Sequence, residues 1–253
     1  MSRSGARRPD LVNNMSDPEN RLQIVLWKWA NPKKLHILFD FSAEAVNRLY
    51  RQLQANLTIP HDVVCITDNP SGIDSGIRVV PLWSEHADMG GCYRRLRLFG
   101  PDAARLVGPR FAWIDLDSVV VGSMDAVLGR TEDIVLYRSN SVALQPYNGS
   151  MVLMNANARP EVWSRFDPGT APSMAAAAGF TGTDQAWMAY VLGSGETVWT
   201  RDDGVMHFRL DCTPDLPDHS RIVFFPGAAK MHLPTTRRVA PWIDQRFPIE
   251  GPQ

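Results

Sequence analysis

The sequence predicts an α/β fold in which helices flank a mainly parallel central sheet. Two observations carry this prediction: β-branched apolar runs alternate with segments of helical periodicity, and turn residues separate most of them. A third is size, because 253 residues can bury a large core. The composition, with 44% apolar and 21% charged residues, is that of an ordinary globular protein.

The predicted strands are short β-branched and aromatic runs bounded by turn residues. They cover residues 22–29, 62–69, 76–83, 111–121, 133–139, 149–156, 196–200 and 221–227. Segment 36–42 fits a strand as well as it fits a helix, and the sequence leaves that choice open.

The predicted helices follow from apolar residues at helical spacing. They cover residues 42–57, 90–107, 160–166 and 183–193. Ser42 is the expected cap of the first helix. Gly100 and Pro101 are expected to interrupt the second helix, which then restarts with the proline at its first position.

Charge and cysteine content limit the expected partners and the expected cellular compartment. The net charge of −1 gives no global reason to expect a nucleic-acid or membrane partner. The three cysteines are far apart and form no zinc or redox motif, which predicts a reducing compartment and a cytoplasmic location. Neither a signal-peptide core nor a transmembrane segment of ~20 apolar residues is recognisable. Residues 1–20 are predicted to be a disordered tail before a single domain over residues 21–253.

Two carboxylates, Asp115 and Asp117, interrupt the apolar run 111–121. Burying an unpaired ionised carboxylate costs at least several kcal/mol, and two neighbouring ones repel each other. In an extended segment both would share one face while Leu116 points away. A sharp turn would expose the pair to water, whereas a divalent cation such as Mg²⁺ or Mn²⁺ would neutralise it. Because the apolar run resumes at once and is free of Gly or Pro until Gly122, we favour the metal.

The same stretch resembles the Asp-x-Asp motif of GT-A fold glycosyltransferases. Other segments resemble, in the same order, the family 8 glycosyltransferases of the glycogenin and lipopolysaccharide galactosyltransferase type, and an uncharacterised bacterial branch near them. These segments are 27–29 with 46–51, 93–99, 147–157, 182–188 and 224–232. The resemblance implies a GT-A fold and a metal-dependent, retaining hexosyltransferase whose expected donor is a nucleotide sugar linked to UDP.

On the donor side, the resemblance implies that Asp115 and Asp117 hold Mn²⁺ or Mg²⁺, which bridges the diphosphate of the donor. It places Arg95 beside that diphosphate and Lys230 on its phosphates. The plain alternatives are an ordinary ion pair for Arg95 and a solvated surface position for Lys230.

The resemblance also implies contacts with the rest of the nucleotide sugar. Trp27, Lys28 and Trp29 end the first strand, where a GT-A fold receives the base and ribose, although both tryptophans also fit the core. Leu116 is counted with these binding residues. Asn148 lies where relatives keep the sugar close to the backbone; its alternative is an Asn-Gly hairpin turn.

On the reaction side, the resemblance places Asp184 and Gln185 beside the anomeric carbon, as catalytic residues that stabilise an oxocarbenium-like transition state. The alternative is purely structural: Thr183 caps a helix and Asp184 lies favourably at its positive end.

The third metal ligand is where the sequence departs from its relatives. They carry a histidine before the glycine of the terminal loop, whereas this chain has Phe224, Phe225 and Pro226 there. His232, five residues past Gly227, is the candidate replacement; the alternative is a contact within the loop.

Two other classes of function fit part of the pattern. Haloacid-dehalogenase-type phosphohydrolases also carry Asp-x-Asp, and "RDDG" (201–204) would be their second acidic pair. Those enzymes usually have the motif on the first strand, however, whereas about four elements precede it here. The other class is a non-catalytic module that binds nucleotide sugars. The acceptor is open among glycan, lipid, protein, small molecule and modified nucleic-acid base.

Overall fold

The computed structural model describes residues 21–30, 41–140 and 145–248. The predicted tail 1–20 and most of the ambiguous segment 36–42 lie outside these residues. The described strands are β1 (Leu22–Lys28), β2 (His61–Thr67), β3 (Arg78–Pro81), β4 (Arg110–Ile114), β5 (Ser118–Val120), β6 (Ile134–Arg138), β7 (Tyr147–Asn155), β8 (Val198–Trp199), β9 (Val205–His207) and β10 (Ile222–Phe224).

The helices of the same residues connect these strands. They are α1 (Ala43–Asn56), α2 (Ala103–Val107), α3 (Asp125–Leu128), α4 (Glu161–Ser164), α5 (Ala171–Ala177), α6 (Asp184–Leu192), α7 (Phe208–Asp211), α8 (Pro234–Val239) and α9 (Trp242–Arg246), with 3₁₀ helices over Tyr93–Phe99 and Arg201–Asp203. None of the helices described is long and apolar enough to cross a membrane.

Seven strands form the central sheet in the order β3-β2-β1-β4-β7-β6-β8. Strands β3, β2, β1 and β4 are parallel neighbours, and β8 is parallel to β6. Strand β7 runs antiparallel to both β4 and β6. The prediction of a mainly parallel sheet is therefore confirmed. The reversal of β7 brings its amino end beside the carboxyl end of β4.

Helices cover both faces of the sheet, as predicted. On one face α1 buries Val46, Leu49 and Leu53 in a core that it shares with β5 and β10. Ser42 caps this helix as expected, because its side chain accepts a hydrogen bond from the N–H of Ala45 at 3.2 Å. The opposite face packs against α2, α4, α6 and the first 3₁₀ helix.

The predicted strand over residues 111–121 is wrong in its extent. The chain leaves the central sheet after β4 and enters a second, three-stranded sheet as β5, with the order β5-β10-β9. The hydroxyl of Ser118 donates to the carbonyl of Asp115 at 2.6 Å, and the N–H of Phe225 donates to the carbonyl of Asp117 at 2.8 Å. These bonds satisfy the backbone carbonyls at the bend. None of residues 115–118 has a positive φ, so the bend does not require a glycine.

The second predicted helix also differs from the structure. Residues 93–99 form a 3₁₀ helix, closed by the N–H of Gly100 on the carbonyl of Arg97 at 2.8 Å. Pro101 lies in the following turn, and α2 begins at Ala103 rather than at the proline. The remaining predicted helices and strands are present, with ends that differ by at most three residues. The sequence missed α3, α5, α7, α8, α9 and β9, which are short or lack a clear apolar period.

Candidate active site

The candidate site lies where the carboxyl end of β4 meets the amino ends of β7 and α6. Asp115 directly follows β4, and its N–H donates to the carbonyl of Ser150 on β7 at 2.9 Å. The N–H of Gly149 donates to Oε1 of Gln185, in the first turn of α6, at 3.2 Å. Backbone bonds thus bring together three segments that are distant in the sequence.

The bend at Asp115–Asp117 settles how the two aspartates are placed. Leu116 is 1% exposed and packs in the core on the α1 side. The side chains of Asp115 and Asp117 keep 20% and 17% of their surface exposed. The segment is not extended, so the expected same-face arrangement does not follow from strand geometry. The chain does turn here, yet the turn does not release the carboxylates into water.

Arg95 is buried and links the segments electrostatically. Its Nη1 lies 2.6 Å from Oδ1 of Asp115 and donates to the carbonyl of Gly149 at 2.9 Å. Its Nη2 donates to Sγ of Cys92 at 2.7 Å, and its Nε lies 3.5 Å from Oδ2 of Asp184. Because a 3₁₀ helix repeats every three residues, Arg95 and Cys92 lie on the same face of this segment, and that face is buried.

Three carboxylates share this site with two cations. Burial raises the pKa of Asp115 to about 7; the charge of Arg95 lowers it, while Asp117 and Asp184 raise it further. Burial also raises the pKa of Asp184 above its ordinary value, again opposed by Arg95. Lys230 is the second cation. The site therefore carries an excess of negative charge when all its groups are ionised.

Lys230 belongs to the loop after β10 and reaches the second aspartate. Its Nζ donates to Oδ2 of Asp117 at 2.7 Å and to the carbonyl of Phe225 at 3.1 Å. It also lies 5.9 Å from the ring centroid of Phe41. The residue is 3% exposed, so the alternative of a solvated surface lysine is wrong.

The start of α6 does not behave as a simple helix cap. Thr183 occupies the N-cap position, but its side chain makes no capping hydrogen bond. Its hydroxyl instead accepts from the N–H of Cys92 and donates to Oδ1 of Asp184, both at 3.1 Å. Asp184 is 3% exposed and faces Arg95. Capping alone therefore leaves the burial of this carboxylate unexplained.

Asn148 and Gly149 lie within β7, not in a hairpin turn. Oδ1 of Asn148 accepts from the N–H of Ser150 at 2.8 Å, opposite an irregularity in β6. A Cβ on Gly149 would lie 3.1 Å from Oδ2 of Asp184. The glycine therefore lets β7 approach the first turn of α6 closely.

Comparison with known proteins identifies which fold the chain shares with solved structures. No protein-family model and no curated protein matches the chain in sequence. In structure, the chain is similar to the galactosyltransferase LgtC in complex with donor and acceptor sugar analogs. The TM-score is 0.56 at 11% identity, over 91% of this chain and 98% of LgtC.

Two further glycosyltransferases are similar over most of this chain but span more residues themselves. GlyE of Streptococcus pneumoniae TIGR4 gives a TM-score of 0.57 at 9% identity, over 85% of this chain and 57% of GlyE. The bifunctional WbbM gives 0.52 at 9% identity, over 85% of this chain and 47% of WbbM. These neighbours share the GT-A architecture. The chain has a GT-A fold.

The GT-A fold puts Trp27, Lys28 and Trp29 at the carboxyl end of β1. Trp27 is 4% exposed and packs edge-on against three other indole rings, so it belongs to the core. Trp29 is half-buried, and Nζ of Lys28 donates to the carbonyl of Asn69 at 2.8 Å. Lys28 and Trp29 are thus the members of this trio with surface available to a ligand.

The residues proposed as a second acidic pair of a phosphohydrolase have local structural roles. Oδ2 of Asp203 accepts from the N–H of Thr200 at 2.8 Å in a capping box. Oδ1 of Asp203 lies 3.4 Å from Arg130, and Asp202 is exposed. Together with the GT-A fold, these contacts leave the phosphohydrolase interpretation without structural support.

Asp115 and Asp117 offer the oxygen donors that a divalent cation prefers, but His232, the predicted third ligand, is not grouped with them. Across residues 21–30, 41–140 and 145–248, no three His, Cys, Asp or Glu side chains are grouped so as to hold a metal ion. His232 is exposed and lines the same cavity as Asp117 and Lys230. One oxygen of each aspartate is engaged by Arg95 or Lys230, which leaves the second oxygen of each outside these ion pairs. Hard oxygen donors and excess negative charge suit Mn²⁺ or Mg²⁺.

Sequence reasoning missed two groups of this site. The carbonyl of Gly149 accepts from Arg95 and from Nε1 of Trp113 at 2.8 Å. Cys92 supplies its thiol to Arg95 and its N–H to Thr183. The spacing of three between Cys92 and Arg95 was the available signal, because residues three apart lie on one face of an α-helix or a 3₁₀ helix.

Proposed function

We propose that this chain is a glycosyltransferase that moves a hexosyl group from a UDP-linked sugar to an acceptor, with retention at the anomeric carbon. The fold supports this class of reaction, because LgtC was solved with donor and acceptor sugar analogs. A second LgtC structure contains an active-site variant in which glutamine is replaced by glutamate. Gln185 is a glutamine of the present candidate site.

The observation that carries the proposal is the position of Arg95 between two carboxylates. The guanidinium contacts Asp115 at the end of β4 and Asp184 at the start of α6. During transfer from a nucleotide sugar, negative charge builds up on the leaving diphosphate and positive charge on the anomeric carbon of the sugar. The first needs cations nearby, and the second needs a carboxylate or amide oxygen. Arg95 fixes the spacing between the groups that would serve each part.

On the donor side, Asp115 and Asp117 would hold Mn²⁺ or Mg²⁺. When bound, that cation would supply Lewis-acid stabilisation of the charge on the leaving diphosphate. Arg95 and Lys230 would bind phosphate oxygens directly, since both are buried donors at this edge. Of the four residues expected to contact the base and ribose, Lys28 and Trp29 would do so, whereas Trp27 and Leu116 are buried in the core and would only support that edge of the site.

On the reaction side, Asp184 and Gln185 would lie against the sugar. The negative charge of Asp184 would stabilise the oxocarbenium-like transition state, and its burial strengthens that interaction. Gln185 is oriented by the N–H of Gly149. Asn148, one residue earlier on β7, would bind a sugar hydroxyl. We therefore assign Asp184 and Gln185 to transition-state stabilisation and sugar binding.

The proposal also covers the acceptor and the cellular location. The acceptor is one of glycan, lipid, protein, small molecule or modified nucleic-acid base. Cys65, Cys92 and Cys212 are free thiols, which supports the reducing cytoplasm predicted from their spacing.

A calorimetric screen of UDP, GDP, dTDP and CMP, with Mn²⁺ and with EDTA, tests the proposal. UDP should bind best, and EDTA and Asp117→Asn should weaken binding similarly, because both remove the metal bridge. Asp202→Asn, which changes an exposed carboxylate, is the matched control. UDP binding that neither treatment affects would overturn the metal bridge. Tight UDP binding without transfer or donor hydrolysis would favour the non-catalytic module.

A further inference from the structure

A cavity of about 300 Å³ lies beside Asp117, on the side of α1. Ala45 and Arg48 of α1 form one wall, and Lys230 and His232 of the loop after β10 form another. Ala45 and Arg48 are three residues apart, so they lie on the same face of the helix. The cavity is lined by Asp117, the second aspartate of the pair, yet no role follows for Arg48 from the motifs described above.

Arg48 is a half-buried cation with unused hydrogen-bonding capacity. Its Nε is buried without a hydrogen-bond partner. Within the described part of the chain, no hydrogen bond or salt bridge joins Arg48 to a carboxylate. Arg51, about one turn further along α1, differs: its Nη2 lies 2.6 Å from Oε1 of Glu44. Burial lowers the pKa of Arg48, partly offset by Glu44, but a guanidinium stays protonated in proteins.

The charges around the cavity indicate that Arg48 could bind an anionic ligand. Lys230 already faces Asp117, and Arg95 already faces Asp115 and Asp184. An entering diphosphate would add further negative charge to a site where carboxylates already outnumber those two cations. Among the described residues, no salt bridge offsets the charge of Arg48, and its planar fork matches phosphate oxygens.

We propose that Arg48 is a further binding residue for the diphosphate group, donating to a phosphate oxygen from α1 in the cavity beside Asp117. As a statement about the nucleotide-sugar donor, the inference rests on the proposed function. As a statement about diphosphate chemistry, it stands on the cavity itself, since a nucleotide and inorganic pyrophosphate present the same group.

Titration calorimetry with UDP and with inorganic pyrophosphate, in EDTA and in Mn²⁺, tests this on the full chain. Arg48→Gln should weaken binding of both ligands by about 10-fold to 100-fold in EDTA, the range expected when a charge-assisted hydrogen bond is lost. Arg48→Lys should lose less, because it keeps the charge without the fork. Arg51→Gln, on the same helix but paired with Glu44, should bind like the wild type. Thermal unfolding of each variant checks that it is folded.

The outcomes separate this inference from the proposed function. UDP binding unaffected by Arg48→Gln would overturn the role of Arg48 and leave the glycosyltransferase proposal standing. Arg48-dependent binding of pyrophosphate without binding of any nucleotide would support the diphosphate site and overturn the nucleotide-sugar function. Failure of the wild type to bind either ligand would overturn both. A fall in thermal stability of Arg48→Gln with normal affinity would assign Arg48 a structural role instead.

Discussion

Nζ of Lys230 and Oδ2 of Asp117 lie 2.7 Å apart, although 113 residues separate them along the chain. The ammonium group therefore neutralises a carboxylate that the Asp-x-Asp resemblance assigns to a metal. Because a metal ion on Asp117 would weaken the attraction between this carboxylate and the ammonium group, we expect Lys230 to turn towards a phosphate oxygen when metal and donor bind. Binding of the donor is thus expected to separate this pair.

Lys230→Ala should change the affinities for Mn²⁺ and for UDP in opposite directions. Mn²⁺ alone should bind about 3-fold to 10-fold more tightly, because Asp117 no longer has a competing cation. UDP should bind at least about 10-fold more weakly with or without Mn²⁺, because a phosphate contact is lost. Calorimetry of both ligands checks this, with Arg209→Ala, an exposed cation, as the control. Weaker binding of Mn²⁺ alone would mean that the ion pair organises the metal site.

His232→Ala tests the third metal ligand. If His232 coordinates the metal in the donor complex, the variant should weaken Mn²⁺-supported UDP binding by about 1–3 kcal/mol. Binding in EDTA should be unchanged. His219→Ala is the matched control, since His219 is exposed and contacts the carbonyl of Arg201 at 3.2 Å. An equal loss in EDTA would show that His232 contacts the nucleotide or its own loop, and the metal site would then contain two aspartates.

Asp184→Asn and Gln185→Ala should slow the reaction far more than they weaken UDP binding. Each is expected to lower kcat for transfer, or for donor hydrolysis, by about 10²-fold, because transition-state stabilisation is lost selectively. Calorimetry with UDP and a turnover assay on the same preparations check this. Normal turnover in the folded fraction, with only a lower Tm, would assign the pair to holding the start of α6.

Mn²⁺ affinity should rise between about pH 6 and pH 8. Burial raises the pKa of Asp115 to about 7, so this carboxyl is mostly protonated at the lower pH, and a metal needs the ionised form. For folding, the same shift lowers stability as the pH rises from the unfolded pKa of about 3.9 towards 7. Calorimetry in buffers of different protonation enthalpy measures the protons released. Equal affinity at both pH values, with no proton release, would mean that Arg95 keeps Asp115 ionised.

The sequence predicted the fold class because strong local patterns dominate the central sheet. Runs such as 22–29 are apolar on both faces, as strands buried between helices must be. The split of residues 111–121 was missed because the bend contains no glycine or proline, and its stability comes from bonds to Ser118 and to Phe225 of a distant strand. The reversed direction of β7 leaves no mark in local composition.

The sequence predicted which residues belong to the site better than it predicted how they are arranged. Motif order singled out Arg95, Asp115 and Asp184, and the structure brings these three together. Their contacts depend on the pitch of a 3₁₀ helix and on the close approach of β7 at Gly149, and neither is readable from residue types. The role proposed for Arg48 depends on a position beside the cavity and, among the residues that the structure describes, on the lack of a salt bridge, and neither is readable from the spacing of α1.

The bend between β4 and β5 also ties the chemistry to the way the two sheets fit together. Asp115 is anchored to the large sheet through Ser150, and Asp117 to the small sheet through Phe225. The two carboxylates are therefore held by different sheets, and the small sheet packs on the large core through one face and on a second apolar cluster, which contains Val119, through the other. A cavity made under the small sheet, for instance by Val119→Ala, would be felt as misalignment of the aspartates while the larger core stays intact. Catalysis would then depend on the packing of the small sheet as well as on the charged groups themselves.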